Sequence, residues 1–520
     1  MPQARPPPKV ALPSRLRAVI EASRLDRLIA YLSPTRGAQR LAARRMIETL
    51  AYEGARISRR EQGWVPGIGT SANAEIASAR TLIRDRARDL RRNNVYAAKA
   101  VATLVSNRIG TGILAAADGS NKRLNDRINA SWERWIERCD IHGKTDLYGL
   151  ESLAEASRVE SGECFVRLIR LDDIDDDDVP LRLQVLEPDY LDTMRNERIE
   201  SGSEIREGIE YRGGVAVAYW LFPTHPGDNA PILPTSVRSV RVPASEILHY
   251  YRVARPGQLT GVTELAPVIR RLHDLDAYAD AELMRKRIAA CSVGAVTTPA
   301  GLPASSLAPT TIGSDGRREE QMAPGMYHYF KPGEAVEFFD PKPSEGYSEF
   351  FGVELHAIAA GMGIPYELLT GDLSEVTYTS HRGGLVQFRA AVESDQWQLV
   401  IPQLCRPIWD RFVRDSLMSP SLGSVPAKFT PPRFGLLDPA KEIPAMIQAI
   451  QAGLRSWGDT IRREGDDPAK VLDEIEAERK EFERRGITLT SIPPPPPEPA
   501  EADDDDENEA AEAEAEDAAA

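Results

Sequence analysis

Apolar side chains recur at Leu355, Ile358, Ala359 and Met362, the spacing of one helical stripe, and the pattern stops at Gly363. Ile364-Pro365 opens a short new turn, because proline pushes the residue before it out of helical geometry. Gly371-Asp372 breaks the chain again. Residues 377–384 hold little that drives a core, and apolar spacing resumes at Leu385, Phe388, Ala391 and Val392. The pattern predicts two amphipathic helices joined by a glycine- and hydroxyl-rich loop, with His381 and Arg382 at its edge. Nothing in it is catalytic; it has the make-up of a moving part.

The same periodicities run through the rest of the chain. They predict a helix over 74–106 that ends near Gly110-Thr111-Gly112, and another over 121–139 whose Trp132 and Trp135 share one face as core residues rather than base-stacking platforms. Short strands are expected at 165–171, 181–186, 209–211, 215–221 and 247–253. A long helix comes next over 263–290, with Leu265, Ile269, Leu272, Leu275, Leu283 and Ile288 at helical spacing. Asp276 and Asp280 stand one turn apart on its polar side. Arg285, Lys286 and Arg287 close its far end, where cations suit the helix dipole. Residues 293–343, rich in Gly, Pro and Ser, read as a small β-containing insert. Beyond 397 the chain is helical again, with Asp438-Pro439 opening one helix and Asp467-Pro468 another that ends near Gly486. The fold class is α+β, mainly helical.

At 520 residues the chain is too long for one core and divides into several domains. With 42% hydrophobic and 28% charged residues its composition is that of an ordinary soluble protein. Cys139, Cys164, Cys291 and Cys405 lie far apart, without the paired spacing of a zinc site or a disulfide framework, which suits a reducing cytoplasm. The opening MPQARPPPKV lacks the apolar run of a signal peptide. The least polar stretch, 97–117, contains Asn107 and Arg108 and makes a poor membrane span.

Charge is unevenly placed. Residues 1–110 hold 21 Lys and Arg against 8 Asp and Glu, and residues 498–520 hold 12 acidic residues and no basic ones. Set against the overall −15, this leaves −16 on residues 111–497. An acidic body disfavours wrapping nucleic acid, whose affinity depends on neutralised phosphates, but it lets a duplex slide past without sticking. The Pro- and Arg-rich stretch to about residue 73 is expected to be partly mobile, residues 493–497 to form a stiff spacer, and the acidic tail beyond to be disordered.

Several motifs imitate chemistry without supporting it. His142-Gly143-Lys144-Thr145 resembles the end of a phosphate-binding loop, but Arg138 stands where the first glycine belongs. Gly110-x-Gly112-x-x-Ala115 imitates a dinucleotide fingerprint, yet it comes after a predicted helix rather than a strand. The acidic run 172–178 lies between strands with no His or Glu at metal spacing, and reads as a solvated hairpin loop. The seven histidines are scattered singly, and no catalytic triad or metal cluster can be assembled from them. Neither an enzyme nor a cofactor is expected.

Against this background, Ala359-Ala-Gly-Met-Gly-Ile-Pro-Tyr-Glu-Leu-Leu-Thr-Gly-Asp372, then Tyr378-Thr-Ser-His-Arg382, resembles the signature of lambda-type tailed-phage portal proteins. Collinear segments support it: RARDLRRNNVYAAKAVATLVSNRIGTGI at 86–113, VESGECFVR at 159–167, LRLQVLEPDYL at 181–191, HYYRVARPGQLTG at 249–261, KPGE at 331–334 and DPAKE at 438–442. The likeness spans about 76–487, with Thr379 where a second serine is expected.

The resemblance implies a dodecameric ring with a central channel at one vertex of the head. In it, 1–73 would be a basic, partly disordered arm, 74–260 an α+β wing, 261–291 a stem helix and 292–343 the clip. Residues 344–371 would form a second stem helix and turn, 372–384 the tunnel loop, and 385–435 the tunnel helix returning to the wing. Residues 436–490 would form a helical crown, and 491–520 the Pro-rich spacer and acidic tail. Thr377, Tyr378, Thr379, Ser380, His381 and Arg382 would meet DNA at the tunnel loop, and Asp276, Asp280, Arg285 and Lys286 would face the stem lumen.

The implied partners are further copies of the chain, the terminase large subunit, major capsid and scaffold proteins, head-completion and tail proteins, and the double-stranded DNA that passes through, with no membrane. The location would be the virion's capsid vertex, and the host cytoplasm during assembly. ATP hydrolysis would belong to the terminase. Two rivals come from other classes. A DNA-processing nuclease would use the acidic run 172–178 as a metal cluster, but needs converging ligands. A nucleic-acid-binding protein would use the basic arm, but the folded body is acidic.

Overall fold

A computed structural model describes residues 70–171, 179–199, 202–228, 238–290, 294–297, 310–312, 318–320, 335–338, 346–374, 376–416 and 425–487. The chain divides into two units, Met1–Ser71 and Ala72–Ala520, and the helices and strands described belong to the second. The basic arm, the acidic run 172–178, the spacer and acidic tail, and most of the expected clip lie outside the described residues.

The second unit begins with α1 (Ala72–Asn93) and α2 (Val95–Arg108). The single helix expected over 74–106 is therefore two. Asn94 leaves helical geometry at φ −106° and ψ 123°, and its side chain accepts the Ala97 N–H at 2.8 Å, capping α2. Strand β1 (Leu114–Ala117), α3 (Lys122–Ile136) and α4 (Leu147–Ser161) come next. After them run β2 (Glu163–Arg170), β3 (Leu181–Leu186), β4 (Glu197–Arg198), β5 (Glu204–Arg206), β6 (Ile209–Arg212), β7 (Val215–Leu221), β8 (Val240–Pro243) and β9 (Ile247–Tyr251). The five strands expected in this part are present; β1, β4, β5 and β8, short and without clean alternation, were not expected.

Helix α5 (Ile269–Ala290) begins six residues later than its apolar spacing predicts. Pro267 has no N–H and disfavours helix at Ala266, so the chain turns through 263–268 before the helix takes hold. Strand β10 (Gly294–Thr297) pairs with β13 (Ala335–Phe338), and β11 (Thr310–Ile312) with β12 (Arg318–Glu320), all antiparallel. Helix α6 (Tyr347–Met362) runs antiparallel to α5, as Arg271–Glu354 and Tyr278–Tyr347 contacts require. Gly363 closes it at φ +65°, a left-handed cap that glycine adopts freely. After Pro365 comes α7 (Tyr366–Thr370), then α8 (Tyr378–Asp395).

Residues Gln396–Cys405 continue α8 as a π-helical segment around Pro402, which supplies no N–H, and lead into α9 (Arg406–Ser416). Strand β14 (Ala427–Thr430) pairs with β1, and α10 (Pro439–Gln451), α11 (Trp457–Arg463) and α12 (Pro468–Arg485) end the described chain. The mixed, mainly helical architecture is the one expected.

Among the described residues three cores hold the unit together. The first lies between α3, α4, the sheet β3-β2-β9 and the π-segment with α9. Its centre is aromatic: Trp132 lies 5.0 Å from Trp135 and 4.8 Å from Phe412, ring centre to ring centre. Trp135 Nε1 donates to the Leu181 carbonyl at 2.7 Å, and Trp409 Nε1 to that of Val425 at 2.9 Å. Trp132 and Trp135 are core residues, as expected. The second core joins α1 and α2 to α5, α6, α7 and α8 through Leu272, Leu275, Leu355, Ile358, Met362, Phe388 and Val392. The third fills the space between β2 and the five-stranded sheet β4-β5-β6-β7-β8.

Candidate functional site

Two of the portal-like segments, 159–167 and 249–261, meet at one place. Gly162 ends α4 at φ +94°, and a Cβ on it would stand 2.6 Å from Val262 and Thr263 backbone atoms. A Cβ on Gly261 would stand 2.0 Å from the Gly162 carbonyl oxygen, so two backbones cross here at a distance only glycines permit. Beside the crossing, the buried Glu163 carboxylate accepts the Gly261 N–H at 2.9 Å, lies 3.0 Å from His249 Nε2, and pairs with Arg84 at 3.3 Å. Burial alone would raise the Glu163 pKa; the His249 hydrogen bond and the nearby charges hold it below its ordinary value.

One turn away lies a second junction. Arg108, at the end of α2, pairs with Glu155 at 3.0 Å, Glu264 at 2.9 Å and Asp395 at 2.7 Å. Arg158 pairs with Glu155 at 2.7 Å and Glu264 at 2.9 Å, and both Arg158 and Glu155 have 0% side-chain exposure. Arg252 bridges Glu264 and Asp395 from the rim, and the Tyr250 hydroxyl donates to Glu155 at 2.6 Å. Three guanidinium groups thus balance three carboxylates. Burial pushes the pKa values of Glu155 and Glu264 up, but Arg158 and Arg108 outweigh it and hold both below the usual carboxylate range. The junction ties the end of α2, α4, β9, the turn before α5 and the end of α8. It sets where the α5–α6 pair and α8 leave the body.

Glu151 behaves in the opposite sense. It is buried, accepts the Ile113 N–H at 3.1 Å and the Cys405 S–H at 3.4 Å, and among the described residues no cation offsets its burial. Burial pushes its pKa up to about 8. A carboxyl raised in the folded state stabilises at low pH, and that contribution drains away as pH rises from its unfolded value to about 8. The folded chain is therefore expected to lose up to roughly 1 kcal/mol per pH unit across that window from this group alone. Urea titrations at a series of pH values should show the decline, and Glu151→Gln should flatten it. An unchanged slope in the variant would place the effect elsewhere.

The expected tunnel loop needs correction. Helix α8 begins at Tyr378, so Gly383 and Gly384 are helical and only about 371–377 connects it to α7. The signal was a capping box: Thr377 Oγ1 accepts the Ser380 N–H at 3.3 Å, and Ser380 Oγ accepts the Thr377 N–H at 3.2 Å. Those two hydroxyls are occupied in starting the helix. Tyr378 and Thr379 are exposed, whereas His381 and Arg382 are half-buried, with Arg382 turned toward Glu442 at 3.7 Å. Of the expected apolar stripe, Phe388 and Val392 are buried, Leu385 is half-buried and Ala391 is exposed.

On α5, Asp276 and Asp280 are both exposed, and Asp276 accepts a hydrogen bond from Asn94 Nδ2 at 2.7 Å, fastening the helix to the break between α1 and α2. Arg285 is held by Glu282 at 2.7 Å, and the Lys286 ammonium lies 5.7 Å from the Tyr347 ring centre. Leu283 is exposed rather than core, as are Met284 and, on α6, Phe350 and Val353.

Two further groupings resolve as structural. The Asp140 carboxylate accepts the N–H groups of His142 at 3.0 Å and Lys144 at 2.8 Å, so the loop that imitates a phosphate cradle is filled by its own chain. Glu187, Asp189 and His225 converge within 4.8 Å, a cluster the sequence did not suggest. Arg88 already occupies both carboxylates, at 3.1 and 2.6 Å. His225 Nδ1 accepts the Gly227 N–H, which leaves its proton on Nε2 facing Glu187 at 3.3 Å. That is an ion-pair network with no free imidazole lone pair to offer a metal. The acidic run of the nuclease alternative lies outside the described residues. No helix among the described residues is long and apolar enough to cross a membrane.

Comparison with known proteins gives one consistent likeness. The family model described as phage portal protein, lambda family, matches residues 57–396. A probable portal protein of Halomonas phage phiHAP-1 is 27% identical over 470 residues, covering 84% of this chain and 88% of its own length. The portal protein of Escherichia phage N15 is 22% identical, covering 83% of this chain and 89% of that one. Portal protein B of Escherichia phage lambda is 20% identical, covering 82% and 88%.

Proposed function

This chain belongs to the lambda family of phage portal proteins, and we propose that it assembles into a closed ring of about a dozen copies at one vertex of the phage head. Portal proteins serve DNA packaging and the joining of head to tail. Here the α5–α6 pair would form the stem around a channel, the insert carrying β10–β13 the clip, α8 a tunnel-lining helix, and α10–α12 the crown. The ring would receive DNA driven by the terminase large subunit during assembly in the host cytoplasm. It would contact the major capsid and scaffold proteins around it, and then head-completion and tail proteins in the virion. The chain itself would act as a conduit and not as an enzyme.

The family match through 57–396 carries this reading. What supports a ring in particular is the apolar surface that a single chain leaves uncovered. Leu283, Met284, Phe350 and Val353 are exposed on the α5–α6 pair, and α10, α11 and α12 bury no residue fully while exposing Ile443, Ile447 and Leu472. Cyclic symmetry lets one set of faces cover the other without leaving open ends. On α8 the outward positions Thr379, Gly383, Gln387 and Ala390 carry no charge, the surface a sliding duplex needs if it is not to stick. Mass measurement of the purified chain at micromolar concentration should find assemblies of about a dozen copies. A monomer at every concentration and salt would count against the assignment.

A further inference from the structure

Helix α8 carries Arg382 and Arg389 seven residues apart, two turns, and therefore on one face. That face does not look outward. It meets the stretch of chain that leads into α10. The Arg389 guanidinium lies 5.1 Å from the Phe434 ring centre and donates to the Gly435 carbonyl at 3.0 Å. Phe434 in turn packs on the core that α8 shares with α5 and α6. Arg382 reaches Glu442, in the first turn of α10, at 3.7 Å, and the Glu442 carboxylate also lies 3.4 Å from the Asp438 N–H that it accepts. Lys441 is held apart from this pair by Asp438 at 2.9 Å.

We propose that residues 434–442 form a clasp that couples α8 to the C-terminal helices, with Arg389 as its fixed contact and Arg382 as its releasable one. The two contacts differ in kind. Arg389 is half-buried, set over an aromatic ring and bonded to a backbone carbonyl, two contacts that together outlast a lone ion pair. Arg382 and Glu442 are 42% and 26% exposed and 3.7 Å apart, a surface ion pair that solvent and salt weaken. The C-terminal helices bury no residue of their own and meet the body elsewhere through exposed contacts such as Lys470–Glu133. A tilt of α10 is thus passed to the start of α8 through a face that an otherwise exposed helix would not have engaged. Arg382 on this account is a positioning residue, and its contact with DNA phosphate is not required. The clasp belongs to the single chain; only its meaning for DNA passage rests on the portal reading.

Hydrogen exchange on the full chain tests it, read separately over 378–386 and 439–447. Glu442→Gln and Arg382→Ala should each raise exchange in both windows about two- to four-fold, the size of one exposed ion pair. The double variant should go no further than either single one, and the charge swap Arg382→Glu with Glu442→Arg should recover most of the protection. Arg389→Ala should release both windows further. Faster exchange in α10 with none in α8, additive effects, or a swap that recovers nothing would each overturn the clasp. Each variant is compared with the parent in the same oligomeric state, so a chain that failed to form rings would remove the portal assignment and leave this result standing.

Discussion

Replacing Arg108 with alanine is expected to destabilise the folded chain by about 3–5 kcal/mol, a large fraction of the stability an ordinary fold holds. The side chain is 6% exposed and faces Glu155, Glu264 and Asp395 at once. Without it, two guanidinium groups remain against three carboxylates, and burial then favours the neutral form of at least one. The loss exceeds the value of any single pair because the remaining charges stay out of water with their partner gone. Arg92 provides the contrast: it lies 3.9 Å from Asp89 with both groups mostly in solvent, and Arg92→Ala should change stability by less than about 0.5 kcal/mol. Urea denaturation of both variants beside the parent decides it. An Arg108→Ala midpoint equal to the parent's would mean that the junction does not hold α5 and α8 to the body.

A second large effect is expected on α8. A Cβ on Gly383 or Gly384 meets nothing within 4 Å among the described residues beyond its own turn of helix, so packing among those residues does not call for either glycine. Leucine at both positions should leave the subunit as stable or firmer by about 1 kcal/mol apiece, since glycine is a poor residue inside a helix. In the ring, however, each copy would push the isobutyl group at 383 into the space proposed for DNA, with that at 384 beside it on the neighbouring face. Rings should still assemble, while packaging with purified terminase and proheads should fall to a small fraction of the parent's. Normal packaging by well-formed variant rings would remove this face of α8 from the mechanism. Gly383→Pro would not serve as the same test. In a helix interior it removes a hydrogen bond and clashes with the preceding turn, costing about 3 kcal/mol, so a packaging defect there would report a broken helix.

What the sequence showed and what it hid have physical reasons. The end of α6 at Gly363 and the restart after Pro365 were legible because a left-handed cap and a proline act within a few residues. Trp132 and Trp135 were legible as core because their spacing alone puts both on one face. The start of α8 was missed because Gly383-Gly384 argues for a loop by propensity, and the Thr377–Ser380 capping box uses serine where glutamate or glutamine is the familiar signal. The break at Asn94 was missed for the same kind of reason, an asparagine cap hidden between two helical stretches that share one apolar periodicity.

Least legible was the junction itself. Glu155 and Arg158 stand three residues apart and look like a solvated surface pair, and only the fold shows that α2, β9 and the turn before α5 close over them. Burial of charge is a property of tertiary contact, which no local pattern carries. Glu163, His249, Gly261 and Arg108 lie within the portal-like segments, but Glu155, Arg158, Glu264 and Asp395 lie outside them, and no sequence pattern singled out any of these residues.

Electron microscopy of the purified chain in negative stain tests the central claim most directly. The expected result is end-on views of a closed ring of about a dozen subunits around a stain-filled hole wide enough for a DNA duplex, with the uncovered faces of the α5–α6 pair and α10–α12 lying between neighbours. Single compact particles, or closed discs without a hole at every salt concentration tried, would contradict it.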